Sequence, residues 1–394
     1  MESARHAAGE SPSTCASTGI TRLDVTGFRN HAASRLRPAA PFVVITGPNG
    51  AGKTNLLEAV SLLAPGRGLR RAVLSDMARA PGADGWAVAA RIDGLQGAAR
   101  IGMRWQPAAD GDMARRDIMI DAKRASSAAR IADHLRVSWL TPAMDGLFTG
   151  PASARRRFLD RLTTALNPEH AAHVSTLERL LRQRNRLLAE PGDQGRWLDA
   201  VEALLAAQAV VVAAARLDAL EALKGGMAQV EATAGAFPCA RLALSGWVED
   251  RLAMEPAVLV EDAYRAHLAA SRARDAAAGR TLAGAHRSDL EVVHAPKDMP
   301  ARLCSTGEQK ALLIALILAH AHAVGQACGG RPPVLLLDEV AAHLDEHRRA
   351  GLFAALRRLG AQVWMTGTDE RLFAALADNA CVVHVRDGAI SMME

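Results

Sequence analysis

The chain has 394 residues, 49% of them hydrophobic and 23% charged, which excludes a disordered polymer and allows about two or three domains with a real core. A formal net charge of +5 permits a nucleic-acid partner without requiring one. Five scattered cysteines, Cys15, Cys239, Cys304, Cys328 and Cys381, contain no C-x-x-C pair, which argues against a disulfide framework or a zinc site and fits a reducing, cytoplasmic setting.

The N-terminal stretch MESARHAAGESPSTCASTG lacks the apolar segment of a signal peptide and is expected to be a disordered leader through residue 18. ITRLDVTGFRN (20–30) alternates as a strand entering a turn, and PFVVIT (41–46) is a short continuous apolar run, the pattern of a buried parallel strand. A helix is expected from Thr54 to Ala64, on the spacing of Leu56, Leu57, Val60 and Leu63. Residues 86–105 predict a hairpin, as does the patch around 117–123, and VSWLTP (137–142) predicts another buried strand.

From Ser153 to about Gly225 the pattern is helical. One helix carries Leu177, Leu180, Leu187 and Leu188 on one face and Arg179, Arg182, Arg184 and Arg186 elsewhere. After the turn PGDQG (191–195), a second long helix is expected to point Trp197, Val201, Leu204, Leu205, Val211 and Val212 inward, making an antiparallel hairpin. Further on, a strand is expected at 240–248 and a helix around 260–278. Helices at 307–324, 346–358 and 370–377 then alternate with strands at 334–339, 362–368 and 381–385. The most apolar run, 311–319, is too short to span a bilayer, and no membrane partner is expected.

Gly47, Pro48, Asn49, Gly50, Ala51, Gly52, Lys53 and Thr54 fit G-x-x-x-x-G-K-[ST] between that strand and that helix. Glycines there let backbone N–H groups approach phosphate oxygens, and the helix adds its positive N-terminal dipole. Lys53 would reach the terminal phosphates of ATP, and the Thr54 hydroxyl would ligate Mg²⁺. VLLLDE (334–339) is an apolar strand ending in two acids at the edge where ligands bind in open α/β sheets. Asp338 would hold Mg²⁺ through water, and Glu339 would orient or deprotonate the attacking water; both Glu339 and Lys53 are therefore catalytic candidates. Ser305-Thr306-Gly307-Glu308-Gln309 is by itself a helix capping box. Its place ahead of the Asp-Glu strand makes it read also as a second phosphate-facing surface.

Together, GPNGAGKT, STGEQ, LLLDE and Leu344-Asp345 resemble the Walker A, signature, Walker B and D-loop of an ABC-type ATPase head. In that superfamily the signature serine and glycine of one subunit contact the γ-phosphate held by the other, which would bring Ser305, Gly307 and Asp345 to a second copy's nucleotide. The helical hairpin between the motif halves is similar to SMC-like proteins. Within these the chain resembles the RecF family: FRN (28–30), with Asn30 beside the nucleotide; GRGLRR (66–71); Gly150, Pro151, Arg155, Arg156, Phe158, Leu159 and Asp160; GAHRSDL (284–290); and TGTD (366–369) in the switch position. The implied fold is α/β, an ABC/SMC-type P-loop ATPase head with an inserted helical arm. The head halves are expected at 19–150 and 281–394 and the arm at 151–280.

The chain departs from the family pattern at Ala285, where proline is usual, and at Ser288, where an acid is. The switch position lacks histidine, which implies slow hydrolysis, with Thr366 or Thr368 as substitute; no Q-loop glutamine is placed. The resemblance implies an ATP-dependent homodimer on duplex or gapped DNA, working with RecO and RecR proteins and, indirectly, RecA. Candidate DNA contacts are Arg67, Arg70, Arg71, Arg182, Arg184 and Arg186, although an arginine-striped helix is commonly just a solvated face; binding would be to phosphates and salt-sensitive. With few aromatic residues, base stacking is not expected to dominate. A transporter-type ATPase would instead show a compact helical insert and a switch histidine, and a chromosome-structuring SMC protein a much longer coiled coil.

Overall fold

The computed structural model describes residues 18–80, 84–107, 115–190, 192, 194–233 and 235–392. The expected leader falls outside them apart from Thr18, as do Pro191 and Asp193 of the expected turn. The chain opens with strands β1 (Gly19–Phe28), β2 (His31–Leu36) and β3 (Phe42–Thr46), and helix α1 (Lys53–Ser61) follows the glycine-rich loop. Strands β4 (Trp86–Gly94), β5 (Gly97–Gln106), β6 (Arg115–Ile120) and β7 (Lys123–Arg124) come next, then β8 (Val137–Leu140).

The helical stretch comprises α2 (Ala152–Leu166), α3 (His170–Ala189) and α4 (Gly195–Thr233). It is followed by β9 (Ala240–Ser245), α5 (Trp247–Leu252), α6 (Ala257–Ala270) and α7 (Arg272–Ala277). The C-terminal part runs β10 (Asp289–His294), β11 (Met299–Pro300), α8 (Thr306–Ala327), β12 (Val334–Leu337), α9 (Glu346–Leu359), β13 (Val363–Gly367), β14 (Ala380–Arg386) and β15 (Ala389–Met392).

A six-stranded sheet in the order β15-β14-β3-β13-β12-β8 is parallel except for β15, and it joins strands from both ends of the sequence. Its strands β3, β8, β12 and β13 are buried at every residue, because both faces are covered. Phe42 and Val44 face a core built with α2, α8 and α9, while Val43 and Ile45 face α1 and the second sheet. That second sheet, β2-β1-β4-β5-β6-β7, is antiparallel throughout, and β4 alternates as half-covered sheets do, with Trp86, Val88, Ala90 and Ile92 inward.

At 39 residues, α4 is about 58 Å long. Its N-terminal half packs on α3 and α6, and its C-terminal half lies on α8. Gly226 makes that approach possible, since a Cβ there would lie 2.0 Å from the Ala319 carbonyl oxygen. The long window of α8 is as apolar as a membrane span, but 78% of it is buried inside the chain, so its hydropathy is that of a core helix.

Four expectations need correction. Trp197, Leu204 and Val211 point outward, at 67%, 61% and 42% exposed, while Val201, Leu205 and Val212 are buried. α4 is apolar on two faces, and among the described residues only one meets neighbours. The strand expected at 240–248 stops at Ser245, and Trp247 begins α5. The helix expected around 260–278 is two helices, α6 and α7, separated at Ser271. Residues Glu370–Asn379 form 3₁₀ turns.

Candidate nucleotide site at the end of the parallel sheet

The glycine-rich loop joins β3 to α1 and is fastened from several sides. Gly47 and Gly52 have φ of 146° and 113°; a Cβ on Gly47 would lie 2.2 Å from the Val385 carbonyl oxygen, and one on Gly52 would lie 2.6 Å from the Asn30 amide. Asn30 Nδ2 donates to the Ala51 carbonyl at 2.7 Å, and Asn30 Oδ1 accepts from Asn55 Nδ2 at 2.8 Å. Asn30, expected beside the nucleotide, is thus a brace of the loop. Buried His31 bonds Gly388 O at 2.9 Å and Gly52 O at 3.2 Å, and its burial lowers its pKa. Lys53, 4% exposed, donates to the carbonyls of Gly47 and Pro48 at 2.8 and 3.0 Å.

The acidic pair arrives from β12 on the adjoining part of the sheet. Asp338 Oδ1 accepts from Thr54 Oγ1 at 2.9 Å and from Thr366 Oγ1 at 2.7 Å. The Glu339 amide donates to Thr366 Oγ1 at 2.8 Å, and Glu339 itself sits at φ 52°, a left-handed conformation costly for a residue with a side chain. Of the two threonines expected at the switch position, Thr366 is the one that contacts Asp338 and the Glu339 amide, while Thr368 is exposed. Sequence reasoning missed Glu58, which is buried on α1 and receives Arg29 at 2.9 and 2.8 Å and Arg70 at 2.9 Å. Hydrophobic spacing hides such a residue, because a carboxylate in a helix reads as a surface position.

Ser305 caps α8 with a complete capping box: the Glu308 amide donates to Ser305 Oγ, and the Ser305 amide donates to Glu308 Oε2 at 3.0 Å. Lys297, and then the Ser305 amide, hold the Glu308 carboxyl down at about 2. Asp345 caps α9 by accepting from the Arg348 amide at 2.8 Å, and Arg348 Nη1 also reaches the Gly307 carbonyl at 3.3 Å. Arg348, unremarked in the sequence, thus ties the signature-like and D-loop-like segments together. Both present exposed side chains.

Beside Thr54, Asp338 and Glu339 opens a cleft of about 910 Å³, walled by the loop after α1 and by α2. Arg67, Arg70, Arg71, Arg157 and Arg161 line it. Arg161 stacks on Trp139 and Phe158 at 4.8 and 5.1 Å, and burial brings its pKa down to about 9. Arg71 is likewise lowered, by burial and then by Arg67 and Arg157. Arg70 is partly committed to Glu58 and Asn55.

Arg182 and Arg186 are exposed on α3. Arg184 is not: it is fully buried and bonds Glu202 at 2.8 Å, Asp275 at 2.8 Å, Thr281 at 2.8 Å and the Leu268 carbonyl at 2.9 Å. Its place among the DNA contacts is withdrawn, since two residues along a helix is more than half a turn and puts it on the face opposite Arg182 and Arg186.

Two of the stretches that carried the family resemblance, residues 150–160 and 284–290, meet at the base of the arm. Arg155 makes a bidentate pair with Asp289 at 2.7 and 2.7 Å, and Arg156 donates to the Ser288 carbonyl at 2.7 Å. Arg216 pairs bidentately with Asp160 at 2.8 and 3.0 Å and reaches Ser288 Oγ at 2.9 Å, while His170 bonds Asp160 at 2.8 Å. Ser288, where the resemblance led to the expectation of an acid, serves here as a hydrogen-bond partner of Arg216.

A glycine-braced loop and an Asp-Glu pair at the end of one parallel sheet, with helices inserted between the two halves that build it, define an ABC-type ATPase head of the SMC kind. The family model described as the RecF/RecN/SMC N terminal domain matches residues 19–391. A protein of Allorhizobium ampelinum, DNA replication and repair protein RecF, is 50% identical over 375 residues, covering 95% of this chain and 99% of that protein. The chain belongs to the RecF family of DNA replication and repair proteins. Its fold is similar to that of the recombination mediator protein RecF solved as RecF-ATPrS in the RecFOR pathway, with a TM-score of 0.84 at 22% identity over 96% of this chain and 99% of that one. The Smc head domain with an extended coiled coil, derived from Pyrococcus furiosus and bound to the C-terminal domain of ScpA, matches with a TM-score of 0.53 at 18% identity over 95% and 96%.

Proposed function

We propose that this chain is a cytoplasmic, ATP-dependent dimeric clamp on duplex or gapped DNA that hydrolyses ATP slowly. The observation that carries the reading is the convergence of Thr54, Asp338, Thr366 and Glu339 beside the glycine-braced loop. The backbone N–H groups of Gly47–Thr54 cradle the phosphates of ATP, and Lys53, already turned toward the loop's own carbonyls, is within reach of the terminal ones. The oxygens of Thr54 and Asp338, 2.9 Å apart, fit the preference of Mg²⁺ for hard ligands. When bound, Mg²⁺ neutralises charge on the terminal phosphates. Glu339 orients the attacking water and accepts its proton, and Thr366 fixes both the Asp338 carboxylate and the Glu339 backbone.

Ser305, Gly307 and Asp345 complete the nucleotide site of a second copy, and Arg348 makes the two segments one surface. The working division is a head of residues 19–150 and 281–394 with an arm of 151–280, the C-terminal part of α4 packing into the head's core. DNA phosphates meet Arg67, Arg70, Arg71, Arg182 and Arg186. As in the pathway named for the solved relative, RecO and RecR proteins are its partners, with RecA downstream.

Mass measured by light scattering after gel filtration tests this. Glu339→Gln traps an ATP-dependent dimer, Lys53→Met loses nucleotide binding, and Ser305→Arg binds ATP but shows no ATP-dependent gain in mass. A wild-type mass indifferent to ATP would falsify the composite site. Gel shifts with gapped, duplex and single-stranded DNA test the DNA reading, which requires salt-sensitive binding strengthened by ATP.

A further inference from the structure

The outward face of α4 carries a second hydrophobic seam that the described residues do not cover. Trp197, Leu204 and Val211 recur every seven residues at 67%, 61% and 42% exposure, and Ala200, Ala207 and Ala214 interleave with them. Large and small residues thus alternate as the a and d positions of a coiled-coil seam about 26 Å long. The stripe carries no charge between Arg196 at one end and Asp218 at the other, both exposed. Glu202 and Arg216, the charged residues of the inward face, are buried in ion pairs of the chain itself. Of the most apolar window of α4 only 50% is buried. Contiguous exposed apolar surface of this kind marks an interaction site.

We propose that this face docks on the same face of a second copy, with the two α4 helices antiparallel. Three features select that occupant. Alternation of large residues with alanine is self-complementary when one helix is reversed: Trp197 meets Ala214 of the other copy, Leu204 meets Ala207 and Val211 meets Ala200. Alanine at alternate positions also lets the helices approach closely. Reversal further brings Arg196 within one helical turn of the second copy's Asp218, opposite charges that a parallel pairing would leave beside their own kind. The contact is isologous, as a two-fold dimer requires.

This contact is separate from the head-to-head dimer proposed above. Two-fold related heads with arms rising side by side hold their α4 helices parallel, whereas the seam pairs them head-to-tail. The seam therefore joins copies whose heads lie at opposite ends, and it needs no nucleotide.

Sedimentation velocity on the full chain without nucleotide, across a concentration series, tests the proposal. A reversible monomer–dimer equilibrium is expected, retained in Lys53→Met. The pair Leu204→Glu and Val211→Glu, which places carboxylates in the seam, raises the dimer dissociation constant by about 100-fold or more. Register is read independently by disulfide trapping: an equimolar mixture of Leu204→Cys and Ala207→Cys chains gives a cross-linked dimer above the level of either alone. A monomer at every concentration, a dimer indifferent to the two glutamates, or no excess cross-link in the mixture overturns it. So does a monomer that uses this face to float with phosphatidylglycerol vesicles. ATP-dependent dimerisation of the Leu204→Glu, Val211→Glu chain reports on the head-to-head reading by itself.

Discussion

Arg182 and Arg184 stand two residues apart on α3, yet one is 70% exposed at its side chain and the other fully buried among two carboxylates, a hydroxyl and a carbonyl. Removing a charge from a buried network strands its partners, so Arg184→Ala is expected to cost about 3–5 kcal/mol in urea unfolding. Arg182→Ala should stay within about 0.5 kcal/mol and instead weaken DNA binding, if α3 meets the backbone. Asn30 poses a similar question at the nucleotide site. With its two hydrogen bonds holding the loop, Asn30→Ala is expected to weaken nucleotide affinity by about tenfold, measured by calorimetry. An unchanged affinity would show that the loop holds its shape without the brace.

At the scale of elements, the base of the arm is held by ion pairs and a histidine hydrogen bond that tie four elements together. Asp160 on α2 receives Arg216 of α4 and His170 of α3, and Arg155 of α2 reaches Asp289 of β10. Burial raises the Asp160 carboxyl, but the His170 hydrogen bond and the Arg216 guanidinium outweigh it and hold the carboxyl below its ordinary 3.8. Its contribution to stability is therefore complete above that ordinary value and is lost as pH falls through the depressed one. Asp160→Asn should cost about 3–5 kcal/mol near neutrality in chemical denaturation, because Arg216 then stays buried without its bidentate partner. These pairs join segments far apart in the chain. The residues were visible as two separate motifs, but nothing in their spacing showed that one grips the other.

For the molecule as a whole, acid sensitivity follows from histidines kept neutral by burial. Burial lowers His31, and it brings His286 and His320 down to about 4. The unfolded chain takes up these protons near the ordinary value of 6.5, so stability is full above that pH and falls as pH drops toward 4. His286 and His320 would each contribute a loss of about 3 kcal/mol by the lower end of that window. Thermal melts from pH 7.5 to 4.5 should decline, and His320→Gln should flatten the lower part of the curve; a melting temperature constant across the window would refute the assignment. The sequence alone determined the nucleotide loop, the Asp-Glu strand, the capped signature-like helix and most of the strands and helices around them, although β2 and β15 escaped it and residues 370–377 read as a helix rather than 3₁₀ turns. Each of these is a local matter of residue spacing and backbone freedom. Only the tertiary structure decided that Thr366 holds Asp338, that Glu58 and Arg184 are buried, and that α4 shows a second apolar face to solvent. Periodicity reports that a helix has apolar faces, and the packing of neighbours decides which one is covered. The glycine-rich loop is braced the same way, by Asn30 and Gly388 from distant parts of the chain. Its shape is a property of the fold as much as of its eight residues.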